Sequence, residues 1–349
     1  MPHYRVAVVG TGGIARHHAG YYAADDRTEI VAAAEIDPQR LEEYCDLYSI
    51  PARYADYREL LDRERPDIVS VCTWQDTHPA ITLAAAEAGA KGVLCEKPMG
   101  VELGPVEDAV RACTERGVKL VVHHQQRSDP AFTAARHAVA QGLIGEPLVF
   151  VAHCQAGLLN IGSHTIDITR YILGDPTCTW VIGQAERKTN RFERGVMCED
   201  LCQAIVGLDN GARIALDMDL PGTHLKQDRR LVGSEGMIRL GSDCAEVLRA
   251  GSAGWEPLPT EPQPGYLEEF IAWMEGGPES RCAGKHGLAE HEVLCALYES
   301  AMRRELVKLP SAYKGFALHD MVADGSMRAE GDPYDIRSEA ALQLALARG

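Results

Sequence analysis

Two glycines near the start of the chain have the spacing of a phosphate-binding turn. Gly10 and Gly12 stand in the pattern Gly10-x-Gly12-x-x-Ala15, directly after the β-branched run 4–9. The first glycine permits a tight turn, and the second lets the backbone approach a pyrophosphate at the positive end of a helix dipole. The pattern predicts a dinucleotide-binding turn and helix start made by Gly10, Gly12, Gly13 and Ile14.

An acidic residue twenty positions after this pattern indicates which dinucleotide to expect. Glu35 ends the second predicted strand, where a carboxylate accepts hydrogen bonds from the adenosine ribose hydroxyls. The same carboxylate would repel a 2′-phosphate, and the following Ile36 offers no compensating cation. We therefore predict NAD as the cofactor rather than NADP. The alternative is a turn without a ligand, with Glu35 capping the next helix.

The elements around this turn alternate between strand and helix. The predicted strands are 4–9, 29–34, 68–72, 92–95 and 118–123, and the predicted helices are 38–48, 103–116 and one that starts near 79. A repeated β-α order implies a parallel sheet that is covered on both faces. Residues 1–123 are therefore predicted to form a doubly wound Rossmann domain of the α/β class.

From residue 146 onward the pattern changes to alternating apolar strands and hairpin turns. The predicted strands are 148–154, 179–185, 201–208 and 212–217, and the predicted helices are 130–141, 164–173, 266–275 and 288–304. Residues 124–349 are therefore predicted to form an α+β domain with an open, mainly antiparallel sheet. The pattern does not place the tail from residue 311. Its apolar stretch 340–347 predicts a helix that packs on a neighbouring subunit or over the pocket.

The composition excludes several other classes of protein. The length of 349 residues corresponds to about two domains. The formal charge of −16 repels phosphate backbones, so no nucleic-acid partner is expected. The sequence shows neither a membrane-length apolar run nor an export signal, so we expect a cytoplasmic protein without membrane contact. The scattered cysteines are expected to be reduced, and no metal site is expected because Cys198 and Cys202 lack a common zinc spacing.

The tripeptide Glu96-Lys97-Pro98 closely resembles the signature of the Gfo/Idh/MocA family of glucose–fructose oxidoreductases and inositol dehydrogenases. The resemblance extends along the chain to His78, Arg127 with Asp129-Pro130, Gly142–Gly145 and Gly233–Gly236. These motifs keep the order and spacing of the family from about residue 4 to residue 310.

This resemblance implies an activity and a set of cofactor contacts. It implies hydride transfer between NAD(P) and a carbinol or ketone of a sugar, cyclitol or sugar derivative. It also implies a substrate pocket on the second domain's sheet, whose outer face commonly makes a homodimer or homotetramer contact. The residues that it places near the cofactor are Thr73, Trp74, His78, Glu96, Lys97 and Gln125. Trp74 stands where the family often has proline.

Alcohol oxidation needs a proton acceptor and a donor that stabilises the developing alkoxide. Lys97 and His164 fit these roles by their family positions. Where this chain has Asn160, the family has an aspartate, followed by the histidine and by a second aspartate, here Asp167. Asparagine orients a hydroxyl but does not exchange its proton. We expect His164 or Lys97 to be the base, Asn160 to position the hydroxyl and Asp167 to fix the His164 tautomer.

Other residues and other functions remain open at this point. Arg127 either binds a substrate hydroxyl or carboxylate, or pairs with Asp129. His224 and Lys226, in a predicted loop, are further candidates for substrate contact. One alternative function is a non-redox enzyme in which tightly bound NAD oxidises a carbinol transiently during glycoside cleavage, elimination or isomerisation. Another alternative is a non-catalytic sensor of dinucleotide or sugar.

Overall fold

The computed structural model describes residues 3–222, 227–241 and 244–348, so His224 and Lys226 lie outside the described residues. The chain divides into two compact units. The first contains Met1–Gly100, Gly104–His123 and Pro264–Leu288, and the second contains Val101–Leu103, His124–Gln263 and Ala289–Gly349. Within the described ranges, no helix combines the length and apolar character that crossing a membrane requires.

The strands and helices are numbered along the described chain. The strands are β1 Tyr4–Val9, β2 Thr28–Ala34, β3 Ala52–Tyr54, β4 Ile68–Val71, β5 Gly92–Cys95, β6 Lys119–Val122, β7 Pro147–Cys154, β8 Cys178–Glu186, β9 Thr189–Glu193, β10 Val196–Met197, β11 Leu201–Leu208, β12 Arg213–Met218, β13 Gln227–Gly233, β14 Gly236–Leu240, β15 Ala245–Arg249, β16 Glu256–Pro257, β17 Val307–Lys308 and β18 Glu330–Asp335. The helices are α1 Gly13–Ala23, α2 Pro38–Tyr48, α3 Tyr57–Glu64, α4 His78–Glu87, α5 Leu103–Arg116, α6 Pro130–Ala140, α7 Ser163–Ile172, α8 Tyr266–Met274, α9 Gly284–Arg303, α10 Ala317–Ala323 and α11 Glu339–Arg348. A short 3₁₀ helix spans Gln125–Ser128, and a π-helix spans Gly157–Gly162.

The first unit contains a six-stranded parallel sheet in the order β3-β2-β1-β4-β5-β6. The central strand β1 is buried at every position except Arg5, because helices cover a doubly wound sheet on both faces. This topology confirms the predicted Rossmann domain. The short elements β3 and α3, which were not predicted, complete the sheet edge beside β2.

Helix α8 belongs to the first unit, although the sequence analysis assigned its residues to the second domain. Its residues Phe270 and Ile271 are fully buried in a cluster with Val6 and Leu94 of the parallel sheet. A Cβ atom on Gly92 of β5 would lie 2.6 Å from the Phe270 ring, so the glycine makes this packing possible. The apolar periodicity of α8 predicted a buried face but could not indicate which sheet the helix would cover.

The second unit contains a nine-stranded sheet in the order β16-β15-β14-β13-β7-β12-β11-β8-β17. Its pairs are antiparallel except that β7 and β12 run parallel. This arrangement confirms the predicted open, mainly antiparallel sheet. Alternate residues of the central strands, such as Phe150, Val206 and Ile214, are fully buried in one apolar core with Ile166 of α7 and Leu297 of α9.

The tail forms ordered elements within the second unit. Strand β18 pairs in parallel with β9, and β10 pairs antiparallel on the other side of β9. The helix predicted at 340–347 is confirmed as α11. Ala341 and Leu342 of this helix are each about 1% exposed, so its apolar side packs within the described chain. All cysteines except Cys244 are buried, and no disulfide joins any two of them within the described residues.

Candidate active site

The turn after β1 has the geometry of a phosphate cradle. Gly10 has a φ of +87°, and a Cβ atom there would lie 2.8 Å from the carbonyl carbon of Cys72, so only glycine fits. A Cβ on Gly12 or Gly13 would meet nothing within 4 Å, which leaves open space beside the turn. Among the described residues, no side chain caps the N-terminus of α1. Its first N–H groups can therefore bind an anion, as a pyrophosphate requires.

Glu35 lies beside this turn at the end of β2. The backbone N–H of Thr11 donates to Glu35 Oε2 at 2.9 Å, and the N–H of Asp37 donates to Oε1 at 3.2 Å. These bonds fix the carboxylate where a ribose hydroxyl is expected. The alternative that Glu35 caps α2 does not hold, because Asp37 accepts the N–H groups of Gln39 and Arg40 at that end.

Lys97 and Glu96 follow β5 at the carboxyl edge of the parallel sheet. Lys97 is half-buried, whereas Glu96 is buried. The Glu96 Oε1 atom lies 3.0 Å from His18 Nε2 and 2.5 Å from His123 Nδ1. The Lys97 N–H donates to Oε2 of the same carboxylate at 3.2 Å. The Glu96 side chain thus points into the first unit and joins the Lys97 segment to α1 and to the residue after β6.

The hydrogen bonds of this cluster converge on the Glu96 carboxylate. His18 and His123 both donate to the ionised Glu96, Ser70 donates to His18 Nδ1 at 2.7 Å, and the Tyr21 hydroxyl lies 3.3 Å from His123 Nε2. Burial alone would raise the pKa of Glu96, but the bonds from His123 and His18 outweigh it and hold the pKa well below its usual range. Burial lowers the pKa of His18. At neutral pH the cluster therefore contains an ionised Glu96 carboxylate beside a neutral His18 imidazole.

His18, Glu96 and His123 also bring three metal-ligand atoms within 4.8 Å of one another. Two histidines and a glutamate can bind zinc, but tetrahedral zinc bonds of about 2.1 Å separate neighbouring ligand atoms by about 3.4 Å. The separations of 2.5 and 3.0 Å are instead hydrogen-bond distances. The geometry favours a hydrogen-bonded cluster, and the absence of a metal site stays a prediction.

The other residues predicted near the cofactor differ in exposure. Thr73 and Trp74, both partly buried, lie in the turn after β4. The ring nitrogens of the buried His78 lie 2.9 Å from the Thr73 carbonyl oxygen and 2.8 Å from that of Pro98, so His78 joins the turns after β4 and β5. Gln125 is exposed in the 3₁₀ helix of the second unit.

His164 lies in the first turn of α7, which follows the π-helix. It is 6% exposed, and its ring centroid lies 6.0 Å from that of His124. The hydroxyl of Ser163 donates to the Asn160 carbonyl at 2.6 Å and closes the junction between the two helices. Asn160 and His164 are therefore placed four positions apart on continuous helical backbone.

Asp167 and Arg127 have partners other than those we predicted. The Asp167 carboxylate accepts from Arg127 Nε at 2.9 Å and pairs with Nη2 at 2.7 Å. Arg127 is fully buried and also pairs with Asp175, whereas Asp129 caps α6 by accepting the Ala131 N–H. These contacts give Arg127 and Asp167 a structural role in holding α7. They do not support tautomer control of His164 by Asp167, substrate binding by Arg127 or an Arg127–Asp129 pair.

Three carboxylates that the sequence analysis did not select hold the π-helix. The oxygens of Asp219 accept the N–H groups of Ala156 and Gly157 at 2.7 and 2.8 Å. Glu199 Oε1 accepts the Leu158 N–H at 2.7 Å, and Glu193 Oε1 accepts from Asn160 Nδ2 at 2.8 Å. The sequence signal for Glu199, an acidic pair before a strand, is also typical of an ordinary strand entry. These carboxylates are remote in sequence from the segment that they hold.

Burial adds an electrostatic feature to this group. Glu199 is fully buried, and desolvation raises its pKa despite the Leu158 N–H and a hydrogen bond from the Tyr298 hydroxyl. Burial and the nearby Glu199 carboxylate also raise the pKa of Tyr298 well above its usual value. The Tyr298 hydroxyl consequently remains a donor, and the pair anchors the π-helix to α9.

Family comparison agrees with this architecture. A model described as an oxidoreductase family with an NAD-binding Rossmann fold matches residues 4–124, and the model of the same family's C-terminal alpha/beta domain matches residues 153–309. This chain belongs to the Gfo/Idh/MocA oxidoreductase family. It is therefore an NAD-binding oxidoreductase, as the glycine turn and Glu35 predicted.

Individual members of the Gfo/Idh/MocA family are similar over most of the chain. D-apiose dehydrogenase of Paraburkholderia graminis is 26% identical over 88% of this chain and 90% of its own. Inositol 2-dehydrogenase of Rhizobium meliloti is 25% identical over 86% of this chain and 96% of its own. The solved structure of levoglucosan dehydrogenase with NADH and L-sorbose has a TM-score of 0.78 and 22% identity, and the match covers 89% of this chain and 100% of that one.

Proposed function

We propose that this protein is an NAD-dependent dehydrogenase acting on a secondary alcohol of a sugar, cyclitol or sugar derivative. One observation carries the proposal: Lys97 follows β5 at the same carboxyl edge of the parallel sheet as the Gly10 turn, two strands away from β1. Ligands of doubly wound sheets bind at this edge. A half-buried amine thus lies on the unit that carries the glycine turn, and dehydrogenases of sugars and cyclitols are among the relatives.

Different residues of this chain bind NAD, accept the proton and orient the substrate. The N–H groups at the start of α1 and the Glu35 carboxylate hold NAD, which when bound accepts the hydride from the substrate carbon. Lys97 Nζ or the His164 imidazole takes the hydroxyl proton. Asn160 orients the substrate through a neighbouring hydroxyl. Oxidation thus separates the alcohol's hydrogens: the hydride leaves with the bonding electron pair, and the proton passes to the base.

The first experiment follows NADH absorbance while the purified protein and NAD meet a panel of sugars, cyclitols, sugar acids and glycosides, with product analysis alongside. We expect stoichiometric NADH and ketone from one class of polyol. Product without net NADH would replace this proposal with transient oxidation by tightly bound NAD. No turnover, combined with ligand-dependent capture of a partner protein, would favour a sensor.

Substitution of the two proposed bases tests their roles. His164→Ala and Lys97→Met should each lower kcat by about 10²–10⁴-fold, the usual contribution of a positioned acid or base. The dissociation constant of NAD, measured by fluorescence titration, should change little for His164→Ala. The exposed variant His319→Ala, on α10, provides the control. Near-normal kcat for either variant would remove that residue from proton transfer.

We also propose a cytoplasmic homodimer or homotetramer that associates through the outer face of the nine-stranded sheet. Ile182 of β8 and Ile205 of β11 are direct cross-strand partners on this face, and they are 45% and 43% exposed. Neighbouring exposed apolar side chains of this kind favour a protein contact.

A further inference from the structure

Glu193 brings a carboxylate to the segment that carries Asn160. It is the last residue of β9 and is 3% exposed. Its Oε1 atom accepts from Asn160 Nδ2 at 2.8 Å. An ionised carboxylate can only accept hydrogen bonds, so the NH₂ end of the amide must face Glu193. The bond therefore determines that Asn160 presents Oδ1, an acceptor, on its other side.

The C-terminal segment, comprising β18 and α11 with the residues between them, holds Glu193 in turn. Arg337 Nε donates to Glu193 Oε1 at 3.3 Å. The Gly195 N–H, just after β9, donates to Asp335 Oδ2 at 2.7 Å. A Cβ on Gly195 would lie 2.8 Å from the Ala341 carbonyl oxygen, so α11 packs directly on this hairpin. The family's C-terminal model ends at residue 309, so this segment is an addition to the part that it matches.

We infer that Glu193 is a positioning residue for Asn160 and that the C-terminal segment, through Arg337, holds the Glu193 carboxylate in place. The inference rests on the proposed function, in which Asn160 orients the substrate. With its NH₂ end bound to Glu193, Asn160 accepts through Oδ1 from a second hydroxyl of the polyol, and the single proton of the reacting hydroxyl passes to the base. The segment beyond the part that the family model matches thus acts on substrate binding through Glu193 and Asn160.

The same geometry favours asparagine over aspartate at position 160. An aspartate there would place a second carboxylate against Glu193, and neighbouring like charges oppose joint ionisation. Arg337 and Arg194 each lie within 3.4 Å of Glu193 Oε1 and pair with that carboxylate. Asn160 and Glu193 therefore form a complementary pair in which each side chain requires the other.

A double-mutant cycle tests this pairing. Asn160→Asp should lower kcat/KM for the substrate about 100-fold, and Glu193→Gln should lower it about tenfold, mainly through KM. The double variant Asn160→Asp/Glu193→Gln should recover at least about tenfold over Asn160→Asp, because the introduced glutamine amide can donate to the new carboxylate. The NAD dissociation constant should stay within about twofold throughout. If the kcat/KM of the double variant falls by the product of the two single-variant losses, the inference is overturned.

Arg337 provides an independent test from the C-terminal segment. Arg337→Ala should raise KM several-fold with a smaller effect on kcat, and Arg337→Lys should restore part of the loss because it retains the charge. Arg328→Ala removes an exposed arginine just before β18 and serves as the matched control. Equal kinetic constants for Arg337→Ala and Arg328→Ala would exclude the proposed action of this segment.

Thermal unfolding without substrate separates failure of this inference from failure of the proposed function. Asn160→Asp should lower the unfolding midpoint, and adding Glu193→Gln should raise it again. A wild-type protein that oxidises no alcohol would refute the proposed function, and the positioning role would fall with it. In that case, non-additive effects of the two substitutions on the unfolding midpoint would still show that Asn160 and Glu193 interact, whereas additive effects would refute the interaction. In an active enzyme, non-additive effects on the midpoint together with additive effects on kcat/KM would leave the interaction a structural role only.

Discussion

At the level of single residues, Glu96 shows how one carboxylate links the candidate catalytic segment to the interior. Its pKa is held well below the ordinary 4.5, and the pKa of the neighbouring His18 is lowered from 6.5. Both folded-state values lie below the unfolded ones, so the unfolded chain binds more protons as the pH falls. The low pKa values of His18 and Glu96 stabilise the folded state fully above about pH 6.5. As the pH falls below 6.5, this stabilisation declines because His18 of the unfolded chain takes up a proton, and below pH 4.5 it declines further because Glu96 of the unfolded chain does so.

Glu96→Gln should therefore lower the free energy of unfolding by about 1–3 kcal/mol at pH 8, because buried hydrogen bonds lose their ionised acceptor. The difference from wild type should narrow as the pH falls below 4.5. Urea unfolding at a series of pH values measures both effects. The exposed variant Glu115→Gln on α5 should follow the wild-type curve. A constant difference across the pH range would argue against an ionised Glu96 in the folded state.

Glu35 is a second single residue whose proposed role, the choice between NAD and NADP, can be tested. Because its carboxylate lies beside the Thr11 N–H at the end of β2, Glu35→Ala should lower kcat/KM for NAD about tenfold through loss of a charged hydrogen bond. The value of kcat/KM for NADP should fall less, because the variant also removes the repulsion between the Glu35 carboxylate and the 2′-phosphate of NADP. Initial rates with both cofactors give the ratio, and Glu43→Ala on the exposed side of α2 is the control. An unchanged NAD-to-NADP ratio would contradict this role of Glu35.

At the level of elements, the π-helix is held in a conformation that its sequence does not favour. Ala156, immediately before it, has a φ of +84°, a left-handed conformation that costs a non-glycine residue about 1–2 kcal/mol. The Asp219 carboxylate compensates by accepting two successive N–H groups. Backbone strain next to Asn160 is therefore maintained by remote side chains.

Ala156→Gly should raise the free energy of unfolding by about 0.5–1 kcal/mol, because glycine removes the steric cost and adds a smaller entropic one. Ala134→Gly, inside α6, should have the opposite sign and cost about 1 kcal/mol. Equilibrium unfolding in urea measures both variants. If Ala156→Gly is destabilising, the segment does not store the strain described above.

Features that depend on local sequence patterns can be predicted from the sequence, whereas contacts between remote residues cannot. The β-α alternation, the glycine turn and the Glu35 position are local patterns, and the structure contains each of them. The Arg127–Asp167 and Asn160–Glu193 contacts join residues 40 and 33 positions apart. No periodicity specifies such partners, because they depend on how strands and helices pack. The assignment of α8 to the first unit depends on packing in the same way.

At the level of the whole molecule, association must overcome charge. The chain has a formal charge of −16, so two copies repel each other at low ionic strength. The cross-strand pair Ile182 and Ile205 offers apolar area on the outer face of the sheet, and its burial would oppose this repulsion. Salt screens the charges over about 10 Å at 0.1 M, so the proposed oligomer should become more stable as salt is added.

Ile205→Glu should convert the oligomer to monomers. The substitution removes apolar contact area, and it places a negative charge on the contact surface of both subunits. Sedimentation velocity at several protein and salt concentrations measures the change. Leu47→Glu adds the same charge on α2, where Leu47 is 57% exposed, and should leave the oligomer intact. Unchanged sedimentation of Ile205→Glu would place the contact on another surface. A wild-type monomer at all concentrations would refute association itself, and the exposed isoleucine pair would then require another partner.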